Sequence, residues 1–273
     1  MKKKGDEFEN IISDIKSIKI QGATDIALSG IQAYLLKPNK KSAKIITSTR
    51  PTEPLLQNVI KMLRKSSDYE TCAKDLIKEI KTSKRKIAKE GNKLIKNGMK
   101  IFTHCHSSSV IEILKEAKKQ KKRFHVFTVE VEPLLQGRMT AKELAKSKIK
   151  TTIGPDLAAE QLLKNCDLFL FGADAFTNKK IVNKIGTQTL CKLAKIYKIP
   201  RYSCGAGMKY AKRVKLETRS GREVWKDNKK EISVVYPAFD KTNMKLVSGI
   251  VSEFGILKTQ DFLKRAKKKL FFN

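Results

Sequence analysis

The chain has 273 residues, a formal net charge of +32 and 40% hydrophobic residues, which is enough apolar material for one large domain or two small ones. It contains no run of about 18 uncharged apolar residues, and the start Met1-Lys2-Lys3-Lys4 leads into acidic residues, so neither a membrane span nor a signal peptide is indicated and a cytoplasmic protein is expected. The five cysteines (72, 105, 166, 191 and 204) are an odd number without a CxxC pair, which argues against a disulfide framework and a zinc knuckle. Of 59 basic residues only ten are arginine, and the lysines are spread over nearly every segment. A specific nucleic-acid site would concentrate arginine and aromatic side chains, so the excess reads as a solvated surface with an attraction for phosphorylated small molecules.

Helical spacing runs through the first third: Phe8, Ile11, Ile12 and Ile15; then Ile26, Ala27, Gly30, Ile31 and Leu35; then Leu55, Val59, Met62 and Leu63. A longer amphipathic stretch spans 70–97, and Asn97-Gly98 reads as its stop. After Gly98 the period changes. Short apolar runs at 100–103, 124–131, 151–153, 167–172, 200–204 and 232–235 alternate with helical patterns at 110–120, 157–164 and 188–198. Thr140 to Glu143 has the form of a capping box, and Pro155 or Asp156 is placed to open the next helix. The expected fold is α/β: an N-terminal helical domain over 1–98, then a Rossmann-like domain over 99–273 with a mostly parallel sheet. Ligands of such sheets bind outside the carboxyl ends of the strands.

Cys105 lies at one such end, in Thr103-His104-Cys105-His106-Ser107-Ser108-Ser109. Free cysteines are usually small core residues, and that reading suits Cys72, Cys166 and Cys191. Cys105 differs, because two of the three histidines flank it and three serines come after it. A thiolate and an anionic ligand are both favoured at the helix N-terminus expected there. Metal binding would need further ligands at usual spacing, and none is evident. Asp174 follows the run Leu168-Phe169-Leu170 and admits two readings, a turn aspartate or a carboxyl held protonated as an acid. Asn183-Lys184-Ile185-Gly186-Thr187 precedes a helix and suits a phosphate, or else a plain threonine cap. The same logic covers Gln21, Gly22, Ala23 and Thr24, and Arg50, whose guanidinium can grip phosphate with two bonds.

Four segments in order, Thr103-His-Cys-His-Ser-Ser, Gln136-Gly-Arg-Met-Thr-Ala, Gly172-Ala-Asp and Asn183-Lys-Ile-Gly-Thr, resemble the superfamily of initiation factor 2B alpha, beta and delta subunits, methylthioribose-1-phosphate isomerases and ribose-1,5-bisphosphate isomerases. The likeness runs from about Gly22 to Gly255 and includes Tyr236-Pro-Ala-Phe-Asp-Lys-Thr and Ser252-Glu-Phe-Gly. It departs from the family pattern at Glu132 and Leu134, where basic residues are usual, and at Gln21, where arginine is frequent. The cysteine and aspartate pair, together with the compact length, resembles the ribose-1,5-bisphosphate isomerases most. That resemblance implies an aldose-ketose isomerase in AMP salvage, with Cys105 as proton acceptor and Asp174 as proton donor. It implies substrate contacts at Gln21, Gly22, Ala23, Thr24, Arg50, Ser107, Ser108, Ser109, Asn183, Lys184 and Lys209, and no metal or cofactor. Its other implications are a homo-oligomer, dimer or hexamer, and a nucleotide effector such as AMP as a candidate partner. A non-catalytic regulatory subunit and a methylthioribose-phosphate isomerase are the alternatives. A thiolate near pH 7 asks for help from the helix N-terminus or from an imidazolium at His104 or His106.

Overall fold

The computed structural model describes residues 4–271 except Asn228. Five helices come first: α1 (Lys4–Lys16), α2 (Ala23–Leu36), α3 (Lys40–Thr49), α4 (Pro54–Lys65) and α5 (Tyr69–Gly91). Their starts obey local chemistry. Asn39 and Ser42 form a reciprocal capping box on α3, Pro54 opens α4, and the Asp68 carboxylate accepts from the Thr71 N–H on α5. The spaced apolar residues, Phe8, Ile15, Ile26, Ile31, Ile46, Leu56, Val59 and Leu76 among them, close into one core. The far end of α5 belongs elsewhere: Ile87 packs with Ile101, Val110 and Leu114 beneath the sheet. Gly98 does take a left-handed φ of 83°, but α5 ends at Gly91 and a short 3-10 turn intervenes, so Gly98 shapes the entry into the sheet rather than stopping the helix.

The strands of the main sheet are β1 (Lys100–His104), β2 (His125–Val129), β3 (Thr151–Gly154), β4 (Leu168–Gly172), β7 (Arg201–Cys204), β9 (Gly249–Ser252) and β10 (Gly255–Leu257). A small antiparallel sheet is made by β5 (Ala175–Phe176), β6 (Lys180–Lys184) and β8 (Phe239–Asn243). The main order is β10-β9-β7-β4-β1-β2-β3, parallel except for β10. Strand β4 is buried throughout, with Phe169 and Phe171 in the core of one face and Leu168 and Leu170 in that of the other, as expected of a strand covered on both sides. Helices α6 (Ser108–Lys119), α7 (Gln136–Lys146), α8 (Ala159–Leu163), α9 (Thr187–Ile196) and α10 (Thr259–Phe271) complete the fold. Among the described residues no helix is long and apolar enough to cross a membrane.

Three local expectations are corrected. Residues 232–235 form no strand; Val235 is 78% exposed and Ile232 39%, so the run reads as apolar in sequence but does not enter a sheet. Helix α7 begins at Gln136, four residues before the proposed cap, and Thr140 points inward to tether a loop. Asp156 opens only a 3-10 turn before α8, while its carboxylate accepts from the N–H groups of Val131 and Glu132 at 2.8 Å each.

Candidate functional site

Strands β1 and β4 are parallel neighbours paired through His104 and Phe171, so the residues just beyond them emerge side by side at the carboxyl edge of the sheet. Cys105 comes directly after β1 and Asp174 shortly after β4, and both are half-buried in the wall of one pocket. The chain turns sharply to deliver the thiol: Cys105 has φ 66°, a conformation that costs a non-glycine residue roughly 1–2 kcal/mol. Two contacts hold it there. The Thr140 hydroxyl donates to the Cys105 carbonyl at 3.0 Å, and the thiol donates to Gln136 Oε1 at 3.2 Å. Gly172 allows the two strand ends to close up, because a Cβ there would lie 2.6 Å from Ser107 Oγ.

The N-termini of α2, α6 and α7 contribute Gly22 and Ala23, Ser107 and Ser108, and Gln136 to the same wall, so their free N–H groups favour an anion. Ser107 also caps α6 by accepting from the Val110 N–H. Positive charge comes from four side chains. Lys184 is buried at the end of β6 and donates to the Tyr236 hydroxyl at 3.0 Å; Lys209 is buried in the turn after β7 and donates to the Ala173 carbonyl at 2.6 Å. Arg50, just past α3, is buried against Glu53 at 3.5 Å and Glu217 at 3.0 Å, and Arg219 lies 3.7 Å from Glu217. Glu217 and Arg219 ride on the long segment 211–238, which is tied back to Thr52. The Glu217 N–H donates to Thr52 Oγ1 at 2.8 Å, and the Thr52 hydroxyl donates to the Lys215 carbonyl at 3.1 Å.

Electrostatics separate the ionisable groups. Burial pushes the Cys105 thiol up to about 12; Lys184 draws it back and Asp174 adds to the rise. Burial also raises Asp174 above the ordinary carboxylate range, against the pull of Lys209, Arg50 and Lys184. Of the two aids to a thiolate, the imidazolium is the one that burial disfavours. His104 is buried, donates Nε2–H to the Ile185 carbonyl at 2.9 Å and is pushed down to about 4 by burial. His106 is lowered as well, chiefly by burial, and its Nδ1 pairs with Thr140 Oγ1 at 3.1 Å. Burial works against the charged form of both rings, although Glu143 lies 3.6 Å from His106, and the groups left to favour a thiolate are Lys184 and the α6 N-terminus.

Of the residues singled out in the sequence, Gln21, Gly22, Ala23, Arg50, Cys105, Ser107, Ser108, Asp174, Asn183, Lys184 and Lys209 line this pocket together. Thr24 and Ser109 do not; both face a smaller cavity behind it, one helical step round from their neighbours. Glu53 and Arg219 line it without having been singled out, and Gln136 and Tyr236, quoted only among the segments of the resemblance and not as contacts, line it too. Arg219 carried a faint signal as one of only ten arginines, whereas Glu53 carried none.

Residues 20–259 match the model of the initiation factor 2 subunit family. The chain belongs to that family. Among its relatives, the ribose 1,5-bisphosphate isomerase of Methanocaldococcus jannaschii is 32% identical over 93% of this chain and 92% of its own, and that of Thermococcus kodakarensis is 32% identical over 92% and 91%. In structure, the family member from Pyrococcus horikoshii described as translation initiation factor eIF-2B superposes with a TM-score of 0.85 at 26% identity, covering 93% of this chain and 98% of that one. The 5-methylthioribose 1-phosphate isomerase of the same organism shares the fold at a TM-score of 0.74 and 23% identity, over 97% and 87%.

Proposed function

We propose that this protein is an aldose-ketose isomerase that converts ribose 1,5-bisphosphate to ribulose 1,5-bisphosphate. One observation carries the reading: a thiol and a carboxyl stand at the mouths of adjacent strands in a single pocket furnished with four cations and three helix N-termini. Relatives named for this activity over nearly the whole chain support it. Asp174, neutral, donates its proton to the ring oxygen as the bond from C1 to that oxygen breaks. Cys105, as thiolate, takes the C2 proton, leaving an enol with a C1–C2 double bond. The thiol then returns a proton to C1 while the Asp174 carboxylate takes the C2 hydroxyl proton, giving the ketone and restoring both groups. The pair must therefore carry one proton during turnover, placed on Asp174; burial favours the thiol in the free protein, so the thiolate forms only with substrate bound, with Lys184 as the charge that stabilises it.

Arg50, Lys184, Lys209 and Arg219, with the N–H groups around Gly22, Ser107 and Ser108, hold the two phosphates, and Gln21, Ala23 and Asn183 complete the contacts. Thr24 and Ser109 support that wall from behind. The helical unit 1–98 and the α/β unit 99–273 are the two parts of the chain in this reading, meeting over the pocket. The enzyme acts as a homo-oligomer in the salvage of AMP. Purified protein incubated separately with ribose 1,5-bisphosphate and 5-methylthioribose 1-phosphate, with the ketose detected by NMR, tests the substrate; adding AMP tests the effector, and sedimentation tests the assembly. Turnover of the first compound alone is expected. Turnover of neither would favour the regulatory reading, to which the high superposition on the Pyrococcus horikoshii factor belongs.

A further inference from the structure

Glu53 has no part in the proton transfers of Cys105 and Asp174, yet it is the most deeply buried carboxyl in the pocket wall, at 1% exposure. Local structure does not account for it. It occupies the N-cap position of α4 but makes no capping bond with its side chain. Its Oε1 lies 3.5 Å from Arg50, too far for a good hydrogen bond, and Glu217 already meets the same guanidinium at 3.0 Å. Its other oxygen, Oε2, is buried without a partner among the described residues. An unpaired buried polar atom costs about 1–3 kcal/mol, so a carboxyl kept there for packing alone would be worse than an apolar side chain. The groups facing it come from every side: Arg50 after α3, Asp174 after β4, Lys209 after β7, and Glu217 on segment 211–238 with Arg219 beside it. Burial and Asp174 push the Glu53 carboxyl up to about 8 against the pull of Arg50 and Lys209.

We propose that Glu53 is a further substrate-contacting residue, a neutral carboxyl whose O–H is donated to an oxygen of the bound sugar phosphate. A doubly phosphorylated ligand then meets a pocket in which Glu53 adds a donor and no negative charge. Ionised Glu53 would lose the donor and repel the phosphates, so binding takes up a proton wherever the free protein has lost it. This inference rests on the isomerase reading for its ligand.

The test is calorimetry with ribulose 1,5-bisphosphate at pH 8.5 in two buffers of different ionisation enthalpy, beside affinity measured from pH 7 to 9. Wild-type protein is expected to take up most of one proton and to weaken toward tenfold per pH unit above pH 8. Glu53→Gln, whose amide donates at any pH, should lose most of that uptake and flatten the curve. Glu53→Asp, a shorter but still titrating group, should bind roughly tenfold more weakly with the alkaline limb moved, which serves if the glutamine variant fails to fold. Proton uptake unchanged in Glu53→Gln, or an unmoved limb in Glu53→Asp, would overturn the proposal while leaving the isomerase reading intact. Wild-type protein that neither binds this ligand nor turns over ribose 1,5-bisphosphate would overturn both.

Discussion

The sheet edge and the helical layer contribute to the pocket in different ways. From β1 and β4 come the two groups proposed to carry the proton transfers, each on a short, constrained turn: Cys105 with its left-handed backbone, and Asp174, whose N–H donates to the Val182 carbonyl at 2.9 Å. From the helices and segment 211–238 come Arg50, Glu53, Glu217 and Arg219, an ion-paired group that sets charge. The contrast has a physical basis. Hydrogen-bonded parallel strands hold the residues at their carboxyl ends at the spacing of the sheet repeat, which suits atoms that must meet bonds, whereas long side chains tolerate the looser placement sufficient for charge.

Mutations can break this division. Cys105→Ser and Asp174→Asn should each lower kcat by about 10²–10⁴-fold with little change in KM, as loss of acid-base catalysis does. Steady-state rates with ribose 1,5-bisphosphate give the answer, and a large KM effect with kcat intact would move these residues to the binding class. Arg50→Met should act the other way, raising KM by about 10–150-fold, the equivalent of one charge-assisted hydrogen bond at roughly 1.5–3 kcal/mol, with kcat less affected.

Stability sharpens the comparison further. His104, neutral and buried at the end of β1, binds its proton in the unfolded chain near pH 6.5 but in the folded one only near 4. The unfolded state therefore holds more protons across that window, and stability falls as pH drops through it, by about 2 kcal/mol between pH 7 and 5. Urea titrations of wild type and His104→Gln at the two pH values measure this as the change in the difference between them, which cancels the contribution of Glu53 common to both. Glu53 has the opposite sign. Its folded carboxyl keeps a proton that the unfolded chain has lost, so stability declines as pH rises from about 4.5 toward 8. Glu53→Gln should thus gain stability relative to wild type as pH rises from 5 to 8, by up to about 3 kcal/mol; a difference that does not change with pH would mark Glu53 as structural.

Much of the architecture was legible because it rests on periodicity. The 3.6-residue spacing of Phe8, Ile11, Ile12 and Ile15, and the apolar runs at 167–172 and 200–204, carry their faces in the order of residues alone. Strands β6 and β8 escaped notice because they are built from Lys-Ile-Val-Asn-Lys and Phe-Asp-Lys-Thr-Asn, where Asn183, Lys184 and Thr242 are buried and no clean apolar alternation is left to read. Thr140 misled for a related cause: a hydroxyl four residues into a helix looks like a cap, yet serves Cys105 and His106 from another element.

Chain order alone determined the helical first third, the alternating strands and helices, and the places where Cys105 and Asp174 must emerge, since each comes after a buried strand and strands end where apolar runs end. Tertiary structure decided which charges meet. It set burial against the charged form of His104 and His106, brought Glu217 from 167 positions away onto Arg50, and left one oxygen of Glu53 without a partner among the described residues. Burial and distance in space set these energies, and neither is written in the local pattern of residues.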